Sequence, residues 1–284
     1  ELDLSSLNEK DSVQLLFSEN AGIVFQAHDS IEKILLDNRI AFFKIGNATS
    51  NGTITIKNNE DQFSFDVATL RDVWYTTSYL LDQKQTANGL AKERFDNYKN
   101  QPLHYTFPKH FTGKLPKISV NSTKPKAAII REKGSNSERE MANAMYLAGF
   151  DVKDVHMTDL ISGRETLEDI QFIGAVGGFS NSDVLGSAKG WAGAFMYNEK
   201  AKTTLNNFFK RDDTLSVGIC NGCQLFMELE VINPEHTLHG KMTYNDSKKH
   251  ESAFTSVTIQ ENNSVMLSTL ANSTLGVWIS HGEG

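Results

Sequence analysis

The chain has 284 residues, of which 39% are hydrophobic and 22% charged, the balance of an ordinary globular protein rather than a disordered or fibrous one. Its formal net charge of −7 argues against nucleic acid as a partner, because such binding needs clustered positive charge. No apolar run approaches the roughly 18 residues of a membrane-spanning helix, and two cysteines are too few for a disulfide framework. We therefore expect no membrane partner and a cytoplasmic location.

The first predicted domain, residues 1–98, has an α+β pattern. The chain exceeds the usual length of one domain, which predicts two domains. β-Branched and aromatic residues predict strands, two helical stretches follow, and Asn51-Gly52 marks a turn. The strands are predicted over 21–26, 42–45 and 53–57, and the helices over 70–81 and 89–98.

A proline-rich stretch separates this domain from the next. Four of the five prolines in the chain lie between residues 102 and 125. Proline supplies neither a donor to a strand ladder nor a residue for a helix interior. Residues 99–125 are therefore predicted to be a linker.

The second predicted domain, residues 126–284, alternates strands with helices. Its first predicted strand, residues 127–130, is a short apolar run of the kind found in buried parallel sheets. The pattern predicts an α/β fold with a doubly wound, mostly parallel sheet that is covered on both faces. Strands are predicted over 127–130, 151–156, 172–176, 215–219, 255–259 and 275–279, and helices over 137–148, 190–209 and 222–229.

The most informative residues are 218–224, Gly-Ile-Cys-Asn-Gly-Cys-Gln, which follow one predicted strand and precede a helix. A strand, a tight turn and a helix form the setting of a nucleophile elbow. Glycines two positions either side of Cys220 would let the backbone turn sharply and let strand and helix approach closely. The Cys220 sulfur would then be exposed at the carboxyl end of the sheet, where the helix amino terminus stabilises negative charge. We predict that Cys220 is the nucleophile.

Cys220 and Cys223 also form a C-x-x-C pair, which leaves two other functions open. A zinc site would need about two further ligands from histidine or carboxylate. A redox dithiol normally lies in a smaller fold and without glycines on both sides. We therefore expect no metal ligands here, and we expect Cys223 to be a small packed residue inside the helix.

The motif Gly218-x-Cys220-x-Gly222-x-Gln224 resembles the nucleophile motif of class I, or triad, glutamine amidotransferases. The full segment is similar to the branch of large-form phosphoribosylformylglycinamidine synthases. Further segments resemble that family in order along the chain: residues 130–137, 154–160, 177–180, 183–186, 190–191, 245–251 and 280–284.

The resemblance implies roles for individual residues. Cys220 would attack the side-chain amide of glutamine and form a glutamyl thioester. The loop containing Gly177, Gly178 and Phe179 would supply backbone N–H groups to an oxyanion hole, together with the N–H of Asn221. Other residues are expected at the glutamine site: Gln224, His281 and Glu283.

Residues 1–98 resemble the end of the family's ATP-dependent synthetase region, which converts formylglycinamide ribonucleotide to the amidine. The expected partners are glutamine and the upstream synthetase domain of the same polypeptide. ATP and Mg²⁺ sites are expected upstream of this chain, and no cofactor is assigned to the chain itself.

The chain departs from the family pattern at three places. Asn181 and Ser182 stand where the family usually has tyrosine and glycine, and His250 and Ala253 stand where it usually has phenylalanine and arginine, near Glu251. The family's catalytic His and Glu lie in a Met-Pro-His-Pro-Glu-Arg segment that is expected beyond Gly284. The triad is therefore expected to be incomplete in these 284 residues, and the 284-residue chain to be a poor glutaminase.

The His-x-Glu spacing of His281 and Glu283 also fits the chemistry of a triad. The resemblance instead gives these residues a binding or structural role near the glutamine pocket. The predicted function is the glutaminase half-reaction of an amido-transferring carbon–nitrogen ligase in purine biosynthesis. The alternatives are an amidotransferase-like cysteine peptidase or chaperone, and a non-catalytic docking fragment.

Overall fold

The computed structural model describes residues 1–100, 103–114 and 123–284. The chain forms two compact units, the first Glu1–Gln85 with Ala91–Asp96 and the second Thr86–Leu90 with Asn97–Gly284. Part of the predicted linker, residues 101–102 and 115–122, lies outside the described residues. The predicted boundaries at 98 and 126 stay a prediction.

The described residues form eleven strands and nine α-helices. The strands are β1 Leu2–Asp3, β2 Thr53–Asn58, β3 Asp61–Asp66, β4 Lys126–Arg131, β5 Ser135–Asn136, β6 Asp151–His156, β7 Phe172–Ala175, β8 Gly177–Gly178, β9 Leu215–Gly218, β10 Glu251–Thr258 and β11 Thr274–His281. The helices are α1 Ser12–Phe17, α2 Ile31–Asp37, α3 Val67–Gln85, α4 Leu90–Asn97, α5 Glu138–Leu147, α6 Met157–Ser162, α7 Lys189–Met196, α8 Glu199–Phe209 and α9 Asn221–Glu228.

The first unit contains a three-stranded sheet in the order β1-β2-β3, followed by the long helix α3. The strand predicted over 53–57 is confirmed as β2, and the two predicted helices are confirmed as α3 and α4. The strands predicted over 21–26 and 42–45 are wrong. The first of these segments has an extended run of exposed residues, with Ile23 88% and Val24 79% accessible. Strand-forming residues make a strand only where a partner supplies hydrogen bonds, so composition alone misled here.

The second unit contains a four-stranded parallel sheet in the order β6-β4-β7-β9. Alternate residues of β4 enter different hydrophobic clusters. Ala128 and Ile130 pack in one, with helices α7, α8 and α9, whereas Ala127 and Ile129 pack in the other, with helix α5. All four side chains are at most 1% exposed. Both faces of the sheet are therefore covered, and the predicted doubly wound α/β class is confirmed.

The structure of this unit adds helix α6 and the short strands β5 and β8, which the sequence pattern does not predict, and it divides one predicted helix. A single helix was predicted over 190–209, and this prediction is wrong, because the structure has α7 and α8 in its place. Asn198 adopts extended backbone angles, and its side chain accepts from the N–H of Ala201 at 3.0 Å. This N-cap begins helix α8, so α7 and α8 are separate helices.

Strands β10 and β11 form a separate antiparallel pair, with Glu251 opposite His281 and Thr258 opposite Thr274. Thr106, inside the predicted linker, exchanges two backbone hydrogen bonds with Thr274. No helix in the described part of the chain is long and apolar enough to cross a bilayer. The β10–β11 pair carries the end of the chain to the carboxyl edge of the parallel sheet.

Candidate active site

The candidate site lies where the two neighbouring strands β7 and β9 end. Because these strands are parallel, their carboxyl ends lie at the same edge of the sheet, the usual place for ligand sites in open α/β folds. Residues 177–183, called here the 177–183 loop, follow β7. The turn into α9, which carries Cys220, follows β9.

The predicted elbow geometry is confirmed. Cys220 lies between β9 and α9 with φ 54° and ψ −114°, a strained conformation for a residue with a side chain. A Cβ atom on Gly218 would lie 2.6 Å from the carbonyl oxygen of Gly222, and a Cβ atom on Gly222 would overlap the backbone of Ala175. Only glycine lets strand and helix come this close at both positions.

The Cys220 side chain is exposed and lies beside Gly177. A Cβ atom on Gly177 would be 3.2 Å from the Cys220 Cβ and 3.8 Å from its Sγ. The thiol donates to the carbonyl oxygen of Ser280 on β11, with a sulfur–oxygen distance of 3.5 Å. The sulfur therefore has one open side, which faces the 177–183 loop. On its other side it contacts the backbone of β11.

The 177–183 loop is anchored to the loop that follows β4. Strand β8 pairs with β5, and the N–H of Phe179 donates to the carbonyl oxygen of Gly134 at 2.9 Å. The N–H of Asn181 donates to the carbonyl oxygen of Lys133 at 2.8 Å. The Phe179 N–H would therefore contribute to an oxyanion hole only after its bond to Gly134 opens. For Asn221, the first residue of α9, the described residues provide no hydrogen-bond partner to the backbone N–H.

The end of the 177–183 loop has an unusual backbone. Asn181, Ser182 and Asp183 have φ values of 51°, 61° and 47°, all in the left-handed region. Residues with side chains avoid this region, whereas glycine enters it without strain. Ser182 is the position at which the resembled family usually has glycine, so the backbone gives that preference a physical reason.

A buried polar network joins this loop to α9. Asn221, only 1% exposed, accepts through Oδ1 from the hydroxyl of Ser180 at 2.7 Å and from its N–H at 3.3 Å. Its Nδ2 donates to Oε1 of Gln224 at 2.9 Å and to Oδ2 of Asp183 at 3.3 Å. Gln224 in turn donates through Nε2 to the carbonyl oxygen of Glu283 at 3.2 Å.

The Asp183 carboxyl has a raised pKa. Burial raises its pKa, and the neighbouring Glu283 carboxylate also raises it, whereas the N–H of Ala188 and the amide of Asn221 act in the opposite direction. Ala188 N–H donates to Asp183 Oδ1 at 3.0 Å. The Glu283 carboxylate accepts from the hydroxyl of Ser187 and lies against Gly186. The carboxyl groups of Asp183 and Glu283 therefore lie near each other in a partly buried part of the site.

The histidines are placed in different ways. His281 follows Ser280 at the end of β11, and its ring lies against Gly284, with Nδ1 buried and without a hydrogen bond. His250 Nε2 lies 2.9 Å from the hydroxyl of Ser280. In the part of the chain that the structure describes, no histidine ring hydrogen-bonds to the Cys220 sulfur. The Glu283 carboxylate hydrogen-bonds to Ser187, and His281 Nδ1 has no hydrogen-bond partner among the described residues, so Nδ1 does not bond to that carboxylate.

Cys223 lies within α9 and is half-buried. Burial raises the pKa of its thiol, and the nearby Cys220 raises it further. A neutral, packed thiol fits the sequence interpretation of this residue. Within the described ranges, no three His, Cys, Asp or Glu side chains come together as metal ligands.

Sequence reasoning missed the buried partners of Asn221. Ser180 and Asp183 are 41 and 38 residues from Asn221 along the chain, so no local spacing connects them. The only signal in the sequence was that both residues lie in segments that resemble the amidotransferase family. The resemblance gave no role to their side chains.

Comparisons with known proteins identify a family for this chain. Residues 124–284 match the family described as the CobB/CobQ-like glutamine amidotransferase domain. The structure of PurLQS from Thermotoga maritima is similar at 26% identity and a TM-score of 0.46, over 57% of this chain and 68% of that chain.

Two relatives align with the whole chain. A probable phosphoribosylformylglycinamidine synthase, chloroplastic/mitochondrial, of Arabidopsis thaliana is 39% identical over 100% of this chain and 21% of its own length. The phosphoribosylformylglycinamidine synthase of Schizosaccharomyces pombe (strain 972 / ATCC 24843) is 36% identical over 100% of this chain and 23% of its own length. The chain thus spans between a fifth and a quarter of the length of these relatives.

Proposed function

The chain belongs to the family of CobB/CobQ-like glutamine amidotransferase domains, and we propose that it is the glutaminase part of a phosphoribosylformylglycinamidine synthase. In this reaction glutamine is hydrolysed, and the ammonia is passed to a synthetase that converts formylglycinamide ribonucleotide to formylglycinamidine ribonucleotide with ATP. The product serves de novo purine biosynthesis. The identity of 39% and 36% to two synthases over the whole chain supports the assignment.

The proposed glutaminase step begins at Cys220. Its thiolate adds to the side-chain carbonyl carbon of glutamine, and the carbonyl oxygen becomes an oxyanion. Backbone N–H groups of the 177–183 loop and of Asn221 would stabilise this charge. The C–N bond then breaks, and ammonia leaves with a proton from a general acid. Water attacks the resulting thioester, releases glutamate and regenerates the thiolate.

One observation carries the proposal: Cys220 is exposed on a strained elbow whose sulfur faces Gly177. The missing side chain at Gly177 leaves room for an amide carbonyl beside the sulfur. Gln224, His281 and Glu283 are proposed to shape the glutamine pocket. In this assignment Gln224 acts through its hydrogen bonds to Asn221 and Glu283.

The synthetase is proposed to be a partner within the same, longer polypeptide. The relatives extend well beyond the region they share with this chain. Helix α3 supports the proposal, because it is 19 residues long and none of its residues is buried. ATP and Mg²⁺ are assigned to that synthetase region and to no residue of this chain.

We also propose a cytoplasmic location, supported by the fact that both cysteines are free thiols. The name of the Arabidopsis thaliana relative specifies chloroplast and mitochondrion, so an organelle is the alternative. Cell fractionation with an antibody against the protein distinguishes the two compartments.

The first test uses Cys220→Ala in the longer protein that carries this chain. We expect loss of glutamine-dependent synthesis and retention of synthesis from added ammonium salts, because the elbow serves only to generate ammonia. Cys223→Ser is the matched control and should keep most of both activities. Equal loss of both activities in a folded Cys220→Ala protein would contradict this division of labour.

A second measurement separates the proposal from its alternatives. A diazoketone or chloroketone analogue of glutamine should label Cys220, and mass spectrometry of the peptide that contains Cys220 and Cys223 identifies the modified sulfur. A cysteine peptidase or chaperone would not select a glutamine analogue. A docking fragment would show no saturable labelling at all.

A further inference from the structure

We propose that the Asn221 side chain is a positioning residue that holds the 177–183 loop in register with the nucleophile elbow. The inference rests on the proposed glutaminase function, since it assigns a role within that reaction. It concerns the carboxamide of Asn221, whereas the backbone N–H of the same residue is a proposed oxyanion donor. The side chain acts through the loop and does not touch the reacting atoms.

The side chain has a complete set of partners. A carboxamide offers two donors and two acceptor positions, and Asn221 uses all four: two bonds from Ser180 reach Oδ1, and Nδ2 donates to Gln224 and Asp183. The residue is 1% exposed, so water does not replace a lost partner. Removing one half of such a buried pair leaves the other half without a partner, which is strongly unfavourable.

The orientation of the carboxamide is fixed by groups that cannot change roles. The N–H of Ser180 is always a donor, so Oδ1 must face it and Nδ2 must face the other way. Gln224 then presents Oε1 to Asn221, and its Nε2 faces the carbonyl oxygen of Glu283, which is always an acceptor. The same orientation satisfies every contact from the loop, through α9, to Glu283, two residues beyond β11.

The loop needs an external restraint because its own backbone is strained. Asn181, Ser182 and Asp183 all have left-handed φ values. Asn and Asp enter this region more readily than other residues with side chains, so the strain is concentrated at Ser182. Asn221 contacts the residues on both sides of the two exposed loop positions, Ser180 before them and Asp183 after them. One side chain therefore spans the strained turn.

This restraint has a chemical consequence. Oxyanion stabilisation depends on donors held within about 0.5 Å of the productive geometry. The two sets of proposed donors, in the 177–183 loop and at the start of α9, lie on different elements. Asn221 belongs to the second element and bonds to the first, so it fixes the distance between them.

The test is Asn221→Asp in the longer protein, which keeps the size and the two bonds from Ser180. It places a carboxylate oxygen against the acceptors of Asp183 and Gln224, which pushes the loop and the helix apart. We expect kcat for glutamate release to fall about 100-fold, the order of magnitude for loss of one oxyanion donor, with KM changed less than about threefold. Alkylation of Cys220 by iodoacetamide needs only the thiolate. Its rate at the alkaline plateau of the pH profile, where the charge of the new carboxylate no longer changes the thiolate fraction, should stay near that of the unmodified protein.

Two variants complete the design. Asn58→Asp is the matched control, because Asn58 is also buried and hydrogen-bonded but lies in the first unit, and its kcat should stay unchanged. Ser180→Ala removes one loop bond, from the Ser180 hydroxyl to Asn221 Oδ1, and leaves the bond from the Ser180 N–H in place. It should lower kcat by roughly threefold to tenfold, the value of one hydrogen bond, and it keeps the proposal testable should Asn221→Asp not fold.

The positioning role is overturned by a folded Asn221→Asp protein whose kcat is within about twofold of the unmodified enzyme. It is also overturned by an equal loss of kcat and of iodoacetamide reactivity, which would assign the side chain to the sulfur. If Asn221→Asp does not fold, an unchanged kcat in Ser180→Ala overturns it. Failure of the proposed function looks different: the unmodified protein would neither release glutamate nor take up the glutamine diazoketone, and both proposals would then fall together.

Discussion

At the scale of single residues, the site contains residues whose backbone conformation is unfavourable for amino acids with a side chain. Cys220 and Ser182 both have left-handed φ values, 54° and 61°. For Cys220 the strain exposes a nucleophile and is part of the proposed function. For Ser182 no side-chain hydrogen bond to any described residue offsets the strain, so the strain should be removable.

Ser182→Gly is expected to stabilise the second unit. A left-handed conformation destabilises the folded state by roughly 1–2 kcal/mol for a residue with a side chain, and glycine removes this strain. The greater freedom of glycine in the unfolded chain offsets about 0.5–1 kcal/mol of the resulting stabilisation. The free energy of unfolding should therefore rise by about 0.5–1 kcal/mol, measured by denaturant titration of the unit.

Ala148→Gly is the control for this change, since Ala148 is also exposed and in the second unit but has φ −80°. It should destabilise the unit by about 0.5–1 kcal/mol, because glycine has no strain to relieve there. A loss of stability in both variants would show that Ser182 is not strained in the folded protein.

At the scale of secondary-structure elements, the decisive contact is between β9 and α9, where the chain reverses around Cys220. Gly222 occupies the first turn of α9 directly over Ala175 of β7. The helix can lie this low on the sheet only because no side chain intervenes. The height of the helix sets the position of the Cys220 sulfur relative to Gly177.

Gly222→Ala tests that packing. The added methyl group overlaps the Ala175 backbone, so α9 must move, and overpacking of this kind costs about 1–3 kcal/mol. We expect that loss in denaturant titration, together with loss of Cys220 labelling by the glutamine analogue.

Gly190→Ala is the matched control within another helix, α7. A Cβ atom there meets nothing within 4 Å, and alanine favours the helix over glycine by about 1 kcal/mol. This variant should be at least as stable as the unmodified protein and should label normally. Equal effects of the two changes would mean that the close approach at Gly222 is not what positions the elbow.

At the scale of the whole molecule, the long helix of the first unit is less buried than a helix of that length normally is. Helix α3 carries Val73, 67% exposed, and Trp74, 74% exposed, and none of its residues is buried. An apolar surface of this kind normally faces another part of a protein. The proposed synthetase region of the longer polypeptide is the partner that the two relatives suggest.

Trp74→Ala should therefore act differently in two proteins. In the 284-residue chain we expect the free energy of unfolding to change by less than about 0.5 kcal/mol, as for other exposed positions. In the longer protein, where Trp74 would be buried, we expect a loss of about 3–5 kcal/mol. Tyr197→Ala, at a residue 91% exposed in the second unit, serves as control and should be neutral in both. The same small effect of Trp74→Ala in both proteins would exclude α3 from the domain contact.

The local features of this protein were determined by the sequence alone. The apolar runs of β4 and β7, together with the alternation of strands and helices after residue 126, predict the doubly wound class, because strands buried on both faces require continuous hydrophobicity. Glycines at 218 and 222 determine the elbow and the exposure of Cys220, because a sharp reversal and a close approach exclude other residues. These requirements involve residues that are close together in the chain, and so they can be recognised from the sequence.

Only the tertiary structure decided which residues support the site. Gln224 meets Glu283 across 59 positions, Ser187 meets Glu283 across 96, and Cys220 meets Ser280 across 60. The same holds for residues 21–26, which have strand-forming side chains and yet form no strand. Hydrogen bonds need a partner at about 3 Å, and the order of strands and the path of β11, rather than any local preference, bring each partner there.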